Sequence, residues 1–312
     1  MKCINKRFVR VCSLLLVCSL CTISGTGCGE NRLEDAFEAD LPGIGIQTSE
    51  ESSKIPYFAS NLCVTDTDVQ DIEADTEDAL AACFFNLNEK KVLYAKNIHE
   101  RMYPASTTKI MTALVALDKG DLDAQTTVSK EAITFSERGV STAKLKEGDV
   151  LTLRQLLYAL LTVSANDAAN VIAEQIAGSQ DAFVEMMNQE AQKIGATNTH
   201  FVNANGLHSE DHYTTVYDLY LMFNAAMQHE EFLQMLQEKE YQASYQAADG
   251  TTVEAVWSTT NQFTKGDVTV PDGVTAVGGK TGTTTAAMSC LVQLFEDAQG
   301  EQYVAIILGC KE

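Results

Sequence analysis

Pro-Ala-Ser-Thr-Thr-Lys-Ile-Met-Thr-Ala-Leu, residues 104–114, places a serine and a lysine three positions apart at the start of an apolar run. A proline favours the first turn of a helix, and we predict a helix from about Ala105 to Leu117. On that helix Ser106 and Lys109 share one face. A lysine can act as the base for a serine hydroxyl only if burial or nearby cations lower its pKa far below about 10.4. The apolar residues that follow suit that burial, so the stretch predicts a serine nucleophile activated by lysine.

Two further motifs follow in an order that fits the same site. Ser164 and Asn166 belong to Ser-Ala-Asn, which lies between two helical runs, where a connection can present a hydroxyl and an amide to a cleft. Lys280, Thr281 and Gly282 form Lys-Thr-Gly at the end of an apolar strand, where a cation and a hydroxyl can bind a substrate carboxylate. Each motif is weak alone, but the three together predict one active site.

The residue after the third motif completes the predicted site. The backbone N–H of Thr283, together with that of Ser106, is expected to stabilise a developing oxyanion. Another Ser-x-x-Lys pair, Ser141 and Lys144, lies in a loop-like context before Gly148, and we interpret it as a chance match.

Strand-like runs lie at both ends of the folded part of the chain, and helical runs lie between them. The predicted strands are 81–87, 92–95, 275–280, 289–295 and 303–309, with a hairpin turn at 296–300. The predicted helices after the first are 153–161, 167–177, 181–194 and a helix capped by Thr214 or Thr215 that runs to about Met227. We therefore expect an α+β fold, in which one antiparallel sheet formed from both chain ends packs against a helical region.

Composition and charge restrict the partners. The chain has 312 residues, is 45% hydrophobic, and carries a formal net charge of -21. That charge argues against nucleic acid and against electrostatic binding to anionic membranes. The five histidines are scattered, and the pair His208 and His212 lies in a loop-like stretch, so we expect neither a metal site nor a cofactor.

The first 28 residues read as an export signal. Four cations precede the apolar run 11–23, which is too short for a comfortable membrane span. The small residues 24–27 before Cys28 resemble a bacterial lipobox, except that Gly25 stands where leucine is usual. Two alternatives stay open: Cys28 is lipidated, or the signal is cleaved or kept as an anchor without a lipid. In either case we expect a location outside the cytoplasm.

An acidic stretch separates the signal from the folded domain. Residues 29–78 contain 14 acidic and 2 basic side chains without a sustained apolar period. We predict that they form a flexible linker and that 79–312 is the catalytic domain. The cysteines outside the signal show no C-x-x-C spacing, and those in the strand-like runs are expected to be buried free thiols. These four cysteines are Cys63, Cys83, Cys290 and Cys310.

The motifs and their surroundings resemble the serine D-alanyl-D-alanine carboxypeptidases, the low-molecular-mass penicillin-binding proteins of the peptidase S11 type. The similar stretches are 104–114, 163–170, 199–207, 213–218 and 279–283. The resemblance implies a β-lactamase or transpeptidase-like fold, a peptidoglycan stem peptide ending in D-Ala-D-Ala as substrate, and β-lactams as covalent inhibitors. It implies Ser106 as nucleophile and Lys109 as its base, with Ser164 and Asn166 assisting. Lys280, Thr281 and Gly282 would then hold the substrate, with Thr283 at the oxyanion.

Two departures from the family pattern accompany the resemblance. The sequence ends at Glu312, directly after its last predicted strand, where family members usually continue with a helix and many add a β-rich domain. We therefore expect a catalytic domain that lacks both. The second departure is that Ala204 and Asn205 stand where the family often has proline and histidine.

Two other interpretations stay open. A class A β-lactamase needs a glutamate for deacylation some tens of residues after Asn166, and residues 196–208 contain none. A non-catalytic penicillin-binding or wall-binding module is the second alternative. The intact motifs argue against it, and the short C-terminal end argues for it.

Overall fold

The computed structural model describes residues 59–311. The predicted export signal 1–28 and the first part of the predicted linker, residues 29–58, lie outside the described residues. Within 59–311, no helix is long and apolar enough to cross a membrane.

The linker prediction is wrong for its last part, because the fold begins before Ala79. Cys63 is fully buried, and its backbone N–H donates to the hydroxyl of Tyr220. Further along, the Asp68 carboxylate accepts the backbone N–H groups of Asn97 and Ile98. These contacts and the pairing of Val69–Gln70 with the strand at 94–95 hold this stretch to the domain, and neither the isolated contacts nor a two-residue strand produces a periodic pattern.

The strands from both chain ends form one antiparallel sheet, as predicted, and it has six strands rather than the five predicted, because Val69–Gln70 adds an edge strand. Its spatial order is β1-β3-β2-β10-β9-β8. The central pair is β2 and β10, in which Phe85 lies opposite Val304 and Ala81 opposite Leu308. Alternate residues of β10 are buried over 304–308, whereas β2 is buried at most of its positions. The strands are β1 Val69–Gln70, β2 Ala79–Asn86, β3 Lys91–Lys96, β8 Val274–Thr284, β9 Met288–Asp297 and β10 Gln302–Cys310.

The helical region packs on the inner face of this sheet. The predicted helix at Ala105 begins as a 3-10 turn over Ala105–Thr108, and the α-helix starts only at Lys109. The next helix is capped by Thr152 and Gln155 in a capping box, and Thr215 caps the later one. The helices are α1 Lys109–Lys119, α2 Leu153–Thr162, α3 Asn166–Ala177, α4 Gln180–Lys193, α5 Val216–Ala226, α6 Glu230–Gln237 and α7 Gln262–Lys265.

Helix α1 is the centre of the domain. It packs against α3, α4 and α5, and its first eight residues, 109–116, are all buried. Most are apolar, so they belong to the core that also contains Phe85, Tyr220 and Phe223. The polar exceptions are Thr112 and Lys109, and Lys109 is the one charged type, which the fold therefore holds in a site largely closed to water.

A second sheet was missed by the sequence analysis. It has four strands in the order β4-β5-β6-β7, and two of them contain only three residues each, too few to show alternation. The longer pair forms a hairpin in which Tyr241 lies opposite Trp257 and Tyr245 opposite Val253. The strands are β4 Gln125–Thr127, β5 Val150–Thr152, β6 Glu240–Gln246 and β7 Thr252–Ser258.

The cysteines of the described region are unpaired. Cys63, Cys83 and Cys290 are buried, whereas Cys310 is half-buried at the end of β10. Burial raises the pKa of the Cys83 thiol well above its ordinary value. The expectation of buried free thiols in the strands is confirmed for Cys83 and Cys290.

Candidate active site

The turn that carries Ser106 lies in close contact with the backbone of two other segments. The preceding residue, Ala105, has φ +48°, a left-handed conformation that is uncommon outside glycine. A Cβ atom on Gly282 of β8 would lie 2.8 Å from the backbone nitrogen of Ser106, and one on Gly206 would lie 2.0 Å from the carbonyl oxygen of Ala105. Only glycine fits at both places, so β8 and the loop before α5 both press against the turn that carries Ser106.

Lys109 is fully buried and is surrounded by three oxygen atoms. Its Nζ atom lies 2.9 Å from Oγ of Ser106, 2.7 Å from Oδ1 of Asn166 and 2.5 Å from the carbonyl oxygen of Asn205. Burial lowers the pKa of Lys109 well below its ordinary value, and the nearby Lys280 lowers it further, whereas Asp167 opposes the shift. The arrangement therefore favours a neutral amine next to the serine hydroxyl.

The second motif lies between α2 and α3, as the sequence predicted. Ser164 has φ +58°, which turns the chain so that Asn166 opens α3. The side chain of Asn166 points to Lys109, and its backbone N–H donates to the carbonyl of Ser141. The next residue, Asp167, accepts backbone N–H groups from Ala143 and Leu145. The motif thus connects the lysine with the loop that forms the opposite wall of the cleft.

A second lysine lies beside a second serine. Nζ of Lys280 donates to Oγ of Ser164 at 2.9 Å and to the carbonyl oxygen of Thr281 at 2.8 Å. Burial lowers the pKa of Lys280 to about 7. The amine can therefore gain or lose a proton near neutral pH while it stays hydrogen-bonded to the Ser164 hydroxyl.

The third motif divides between two faces of β8. Successive strand residues point to opposite faces, so Lys280 and Gly282 face the core, and Thr281 and Thr283 face away from it. The hydroxyl of Thr281 lies 2.9 Å from that of Thr260, and these two residues line a groove next to the cleft. Thr283 lines both this groove and the cleft beside Ser106. Thr281 thus lies at the rim rather than beside the nucleophile.

The cleft itself is a cavity of about 610 Å³ next to Ser106. The sequence analysis missed the wall opposite β8, which is an exposed loop without periodicity. Ser141 lies in this wall, whereas Lys144 is exposed and lies outside the cleft lining, so the second Ser-x-x-Lys is no second site. The lining consists of Ser106, Asn166, Asn205, Gly206, Leu207, His208, residues 137–141 and residues 283–286.

A buried histidine supports the turn from behind. His212 is 2% exposed, and its Nδ1 atom accepts the backbone N–H of Val202. Its Nε2 atom therefore carries the proton of the neutral ring and donates to Oγ1 of Thr108 at 2.8 Å. Burial lowers the pKa of His212 to about 3. The sequence analysis considered this residue only as a metal ligand, and its contacts are instead a hydroxyl and a backbone amide.

The fold and this site define a class. A six-stranded antiparallel sheet, a central helix that begins at a buried lysine, and two serine–lysine pairs form a β-lactamase-like α+β protein with a serine–lysine site. A solved structure similar to this one is the DD-transpeptidase of Streptomyces strain K15, which is 30% identical, with a TM-score of 0.71 over 77% of this chain and 93% of that one.

The chain belongs to the D-alanyl-D-alanine carboxypeptidase family Peptidase_S11, whose family model matches residues 68–311. It is 37% identical over 209 residues to the carboxypeptidase DacB2 of Mycobacterium tuberculosis, covering 66% of this chain and 67% of that protein. It is 38% identical over 156 residues to DacF of Bacillus subtilis, covering 49% of this chain and 40% of that protein. The alignment with DacC of Escherichia coli, 32% identical over 78% of this chain, covers 59% of the relative. The predicted family and fold class are confirmed.

Proposed function

We propose that the protein is a serine-type D-Ala-D-Ala carboxypeptidase that removes the terminal D-alanine from peptidoglycan stem peptides. The observation that carries the proposal is the contact between Lys109 and Ser106, 2.9 Å long, at a lysine that is fully buried. A serine hydroxyl needs a neutral base within hydrogen-bond distance. Burial lowers the pKa of Lys109 and so makes this lysine such a base.

Acylation begins at the first serine–lysine pair. The Lys109 amine takes the Ser106 proton while Oγ attacks the carbonyl carbon of the penultimate D-alanine. The oxyanion of the tetrahedral intermediate is expected to accept the backbone N–H groups of Ser106 and Thr283. Gly282 supports this pairing, because its missing side chain lets β8 run against the turn of Ser106.

The second serine–lysine pair, Ser164 and Lys280, is assigned to protonation of the leaving group. The nitrogen of the terminal D-alanine must gain a proton as the C–N bond breaks. The Ser164 hydroxyl, which is hydrogen-bonded to Lys280, is the proposed relay that returns the proton from Lys109 to that nitrogen. Water then attacks the ester on Ser106, Lys109 takes its proton, and Oγ is reprotonated as the shortened peptide leaves.

Substrate binding is assigned to β8 and α3. Lys280 supplies a cation near the carboxylate of the terminal D-alanine. Thr281 supplies a hydroxyl at the rim, and Gly282 admits the peptide close to the backbone. Asn166 holds both the lysine and the substrate amide. β-Lactams would acylate the same Ser106 and block turnover.

The location follows from the sequence rather than from the described residues. We propose export by residues 1–28 and attachment to the outer face of the membrane, either by the signal itself or by a lipid on Cys28. Replacing Cys28 with alanine and comparing the mass and membrane fraction of the mature protein would distinguish the two anchors. Neither nucleic acid nor a cofactor has a role in the proposal.

The test is release of free D-alanine from a D-Ala-D-Ala-terminated peptide, with Ser106→Ala as control. Many turnovers that disappear in the variant support the carboxypeptidase. Stoichiometric acylation by penicillin without turnover would instead indicate a binding module. A penicilloyl adduct that hydrolyses within seconds would indicate a β-lactamase, whereas a long-lived adduct agrees with the proposal.

A further inference from the structure

We propose that Asn170 and Asn205 are positioning residues that aim the amine of Lys109 at Ser106. The inference rests on the proposed function, in which Lys109 is the base. Neither residue belongs to the three motifs, and both are buried, at 4% and 5% exposure.

The first step concerns the amine. A neutral lysine has two N–H donors and one lone pair. Lys109 has two neighbours that can only accept, the Asn166 Oδ1 atom and the Asn205 carbonyl oxygen. When both N–H groups donate to these acceptors, the lone pair points to the third neighbour, the Ser106 hydroxyl. If one acceptor moves away, the amine can rotate and its lone pair is no longer aimed at the serine.

The second step concerns the Asn205 carbonyl. The Asn205 side chain donates through Nδ2 to Oδ1 of Asn170 at 3.0 Å and accepts the backbone N–H of Leu207 at 2.9 Å. Thr112 holds the neighbouring carbonyl of Ala204 at 2.6 Å. These contacts hold the loop from both sides, so the Asn205 carbonyl keeps its place against Lys109.

The third step concerns Asn170, whose amide has a determined orientation. Its Nδ2 atom donates to the carbonyl oxygen of Ala132 at 3.0 Å. A carbonyl can only accept, so Oδ1 of Asn170 must face Asn205. Asn166 and Asn170 lie four residues apart on α3 and share one face of the helix. The helix therefore holds one acceptor of Lys109 directly and the other through Asn205.

The charged groups around Lys109 are the same in the wild type and in the variants at Asn170 and Asn205. Lys280 approaches from β8, Asp167 from α3, and His212 from behind the turn of Ser106. None of them is altered by substitutions at Asn170 or Asn205. A change in the pH profile can therefore be attributed to the lost alignment and to the lost acceptor.

The experiment measures the second-order rate of Ser106 acylation by benzylpenicillin, and D-alanine release, from pH 5 to 10. Asn170→Ala and Asn205→Ala are expected to lower the acylation rate at its high-pH plateau by about tenfold to a hundredfold, the range found for residues that orient metal ligands, with KM for the peptide little changed. The acylation rate rises with pH as Lys109 loses its proton, and the midpoint of that rise should move to lower pH. The reason is that a displaced acceptor stabilises the Lys109 ammonium less.

The matched control is Asn188→Ala. Asn188 is a half-buried amide on α4 that makes two backbone hydrogen bonds to Phe201, ahead of the same loop. It makes no contact with Lys109, so its loss should lower thermal stability without moving the midpoint. The double variant Asn170→Ala/Asn205→Ala should be no slower than Asn205→Ala alone, because both act through one carbonyl.

Three outcomes decide the proposal. If folded Asn170→Ala keeps the wild-type plateau and midpoint, or loses no more than Asn188→Ala, the inference is wrong while the carboxypeptidase stands. If the two effects add fully in the double variant, Asn170 does not act through Asn205 and the inference is also wrong. If the wild-type protein neither releases D-alanine nor reacts with penicillin, the proposed function fails first.

Discussion

Nζ of Lys280 lies 2.9 Å from Oγ of Ser164, although 116 residues separate the two along the chain. Both side chains are buried, at 1% and 6% exposure. This contact joins β8, an edge strand of the large sheet, to the turn just before α3. It places a lysine with a pKa of about 7 beside the hydroxyl that we propose as the proton relay. Chemistry and stability therefore depend on the same buried group, and the predictions below separate the two.

Replacing Lys109 with arginine should abolish acylation. Arginine is a donor of similar length that cannot deprotonate in a protein, so Ser106 loses its base, and the penicillin acylation rate should fall by about 10³-fold. Intact-protein mass spectrometry over time measures the rate. Lys144→Arg in the second Ser-x-x-Lys pair is the matched control and should react like the wild type. Normal acylation of Lys109→Arg would exclude the proposed base.

Raising the pH from about 7 towards about 10 should stabilise the protein through Lys280. Its pKa is lower in the folded state than in the unfolded chain, so over this window the unfolded chain binds more protons, and the free energy of unfolding rises with pH. One such group contributes at most about 1.4 kcal/mol per pH unit. Urea unfolding of the wild type and of Lys280→Met is measured across this pH range. The free energy of unfolding should rise less steeply with pH in the variant, and the difference is the contribution of Lys280. Equal slopes would contradict the lowered pKa.

Replacing Gly282 with alanine should disturb the turn of Ser106. The new Cβ would lie 2.8 Å from the Ser106 nitrogen and 3.0 Å from that of Thr107. Both are backbone atoms, so we expect about 1–3 kcal/mol of destabilisation and at least about tenfold slower acylation from a displaced N–H group. Gly250→Ala, at a hairpin turn with φ +81° and open space, is the control. Gly250→Ala should lose some stability and keep its acylation rate. Equal acylation rates in the two variants would contradict the role of Gly282 in positioning the turn of Ser106.

His212 should make the protein sensitive to acid. Its pKa lies below the unfolded value because of burial, so between about 6.5 and about 3 the unfolded chain binds the extra proton. The free energy of unfolding should therefore fall as pH falls through this window. In His212→Gln the fall should be smaller, even if the variant is less stable at pH 7. Urea titrations at pH 7, 5 and 4 measure the difference, and parallel curves would show that His212 titrates normally in the fold.

Local sequence was enough to predict five of the six strands of the large sheet and the three segments that carry the motifs. The apolar runs 81–87 and 303–309 and the apolar helix after Lys109 are local signals, because each of these segments is largely buried or half-buried over consecutive residues. The four-stranded sheet was missed because two of its strands have three residues each. The folded stretch before Ala79 was missed because Cys63 and Asp68 act singly, without a period.

The sequence by itself determined the order of the three motifs, the family resemblance, and the need for a buried lysine behind Ser106. Only the tertiary structure decided which groups touch Lys109. The Asn205 carbonyl lies 96 positions away from Lys109 along the chain, and a backbone oxygen carries no residue signature at all. The tertiary structure also placed Thr281 at the rim, because strand alternation turns neighbouring side chains to opposite faces. Chemistry that depends on residue type can be read locally, whereas the direction of a lone pair depends on contacts between distant segments.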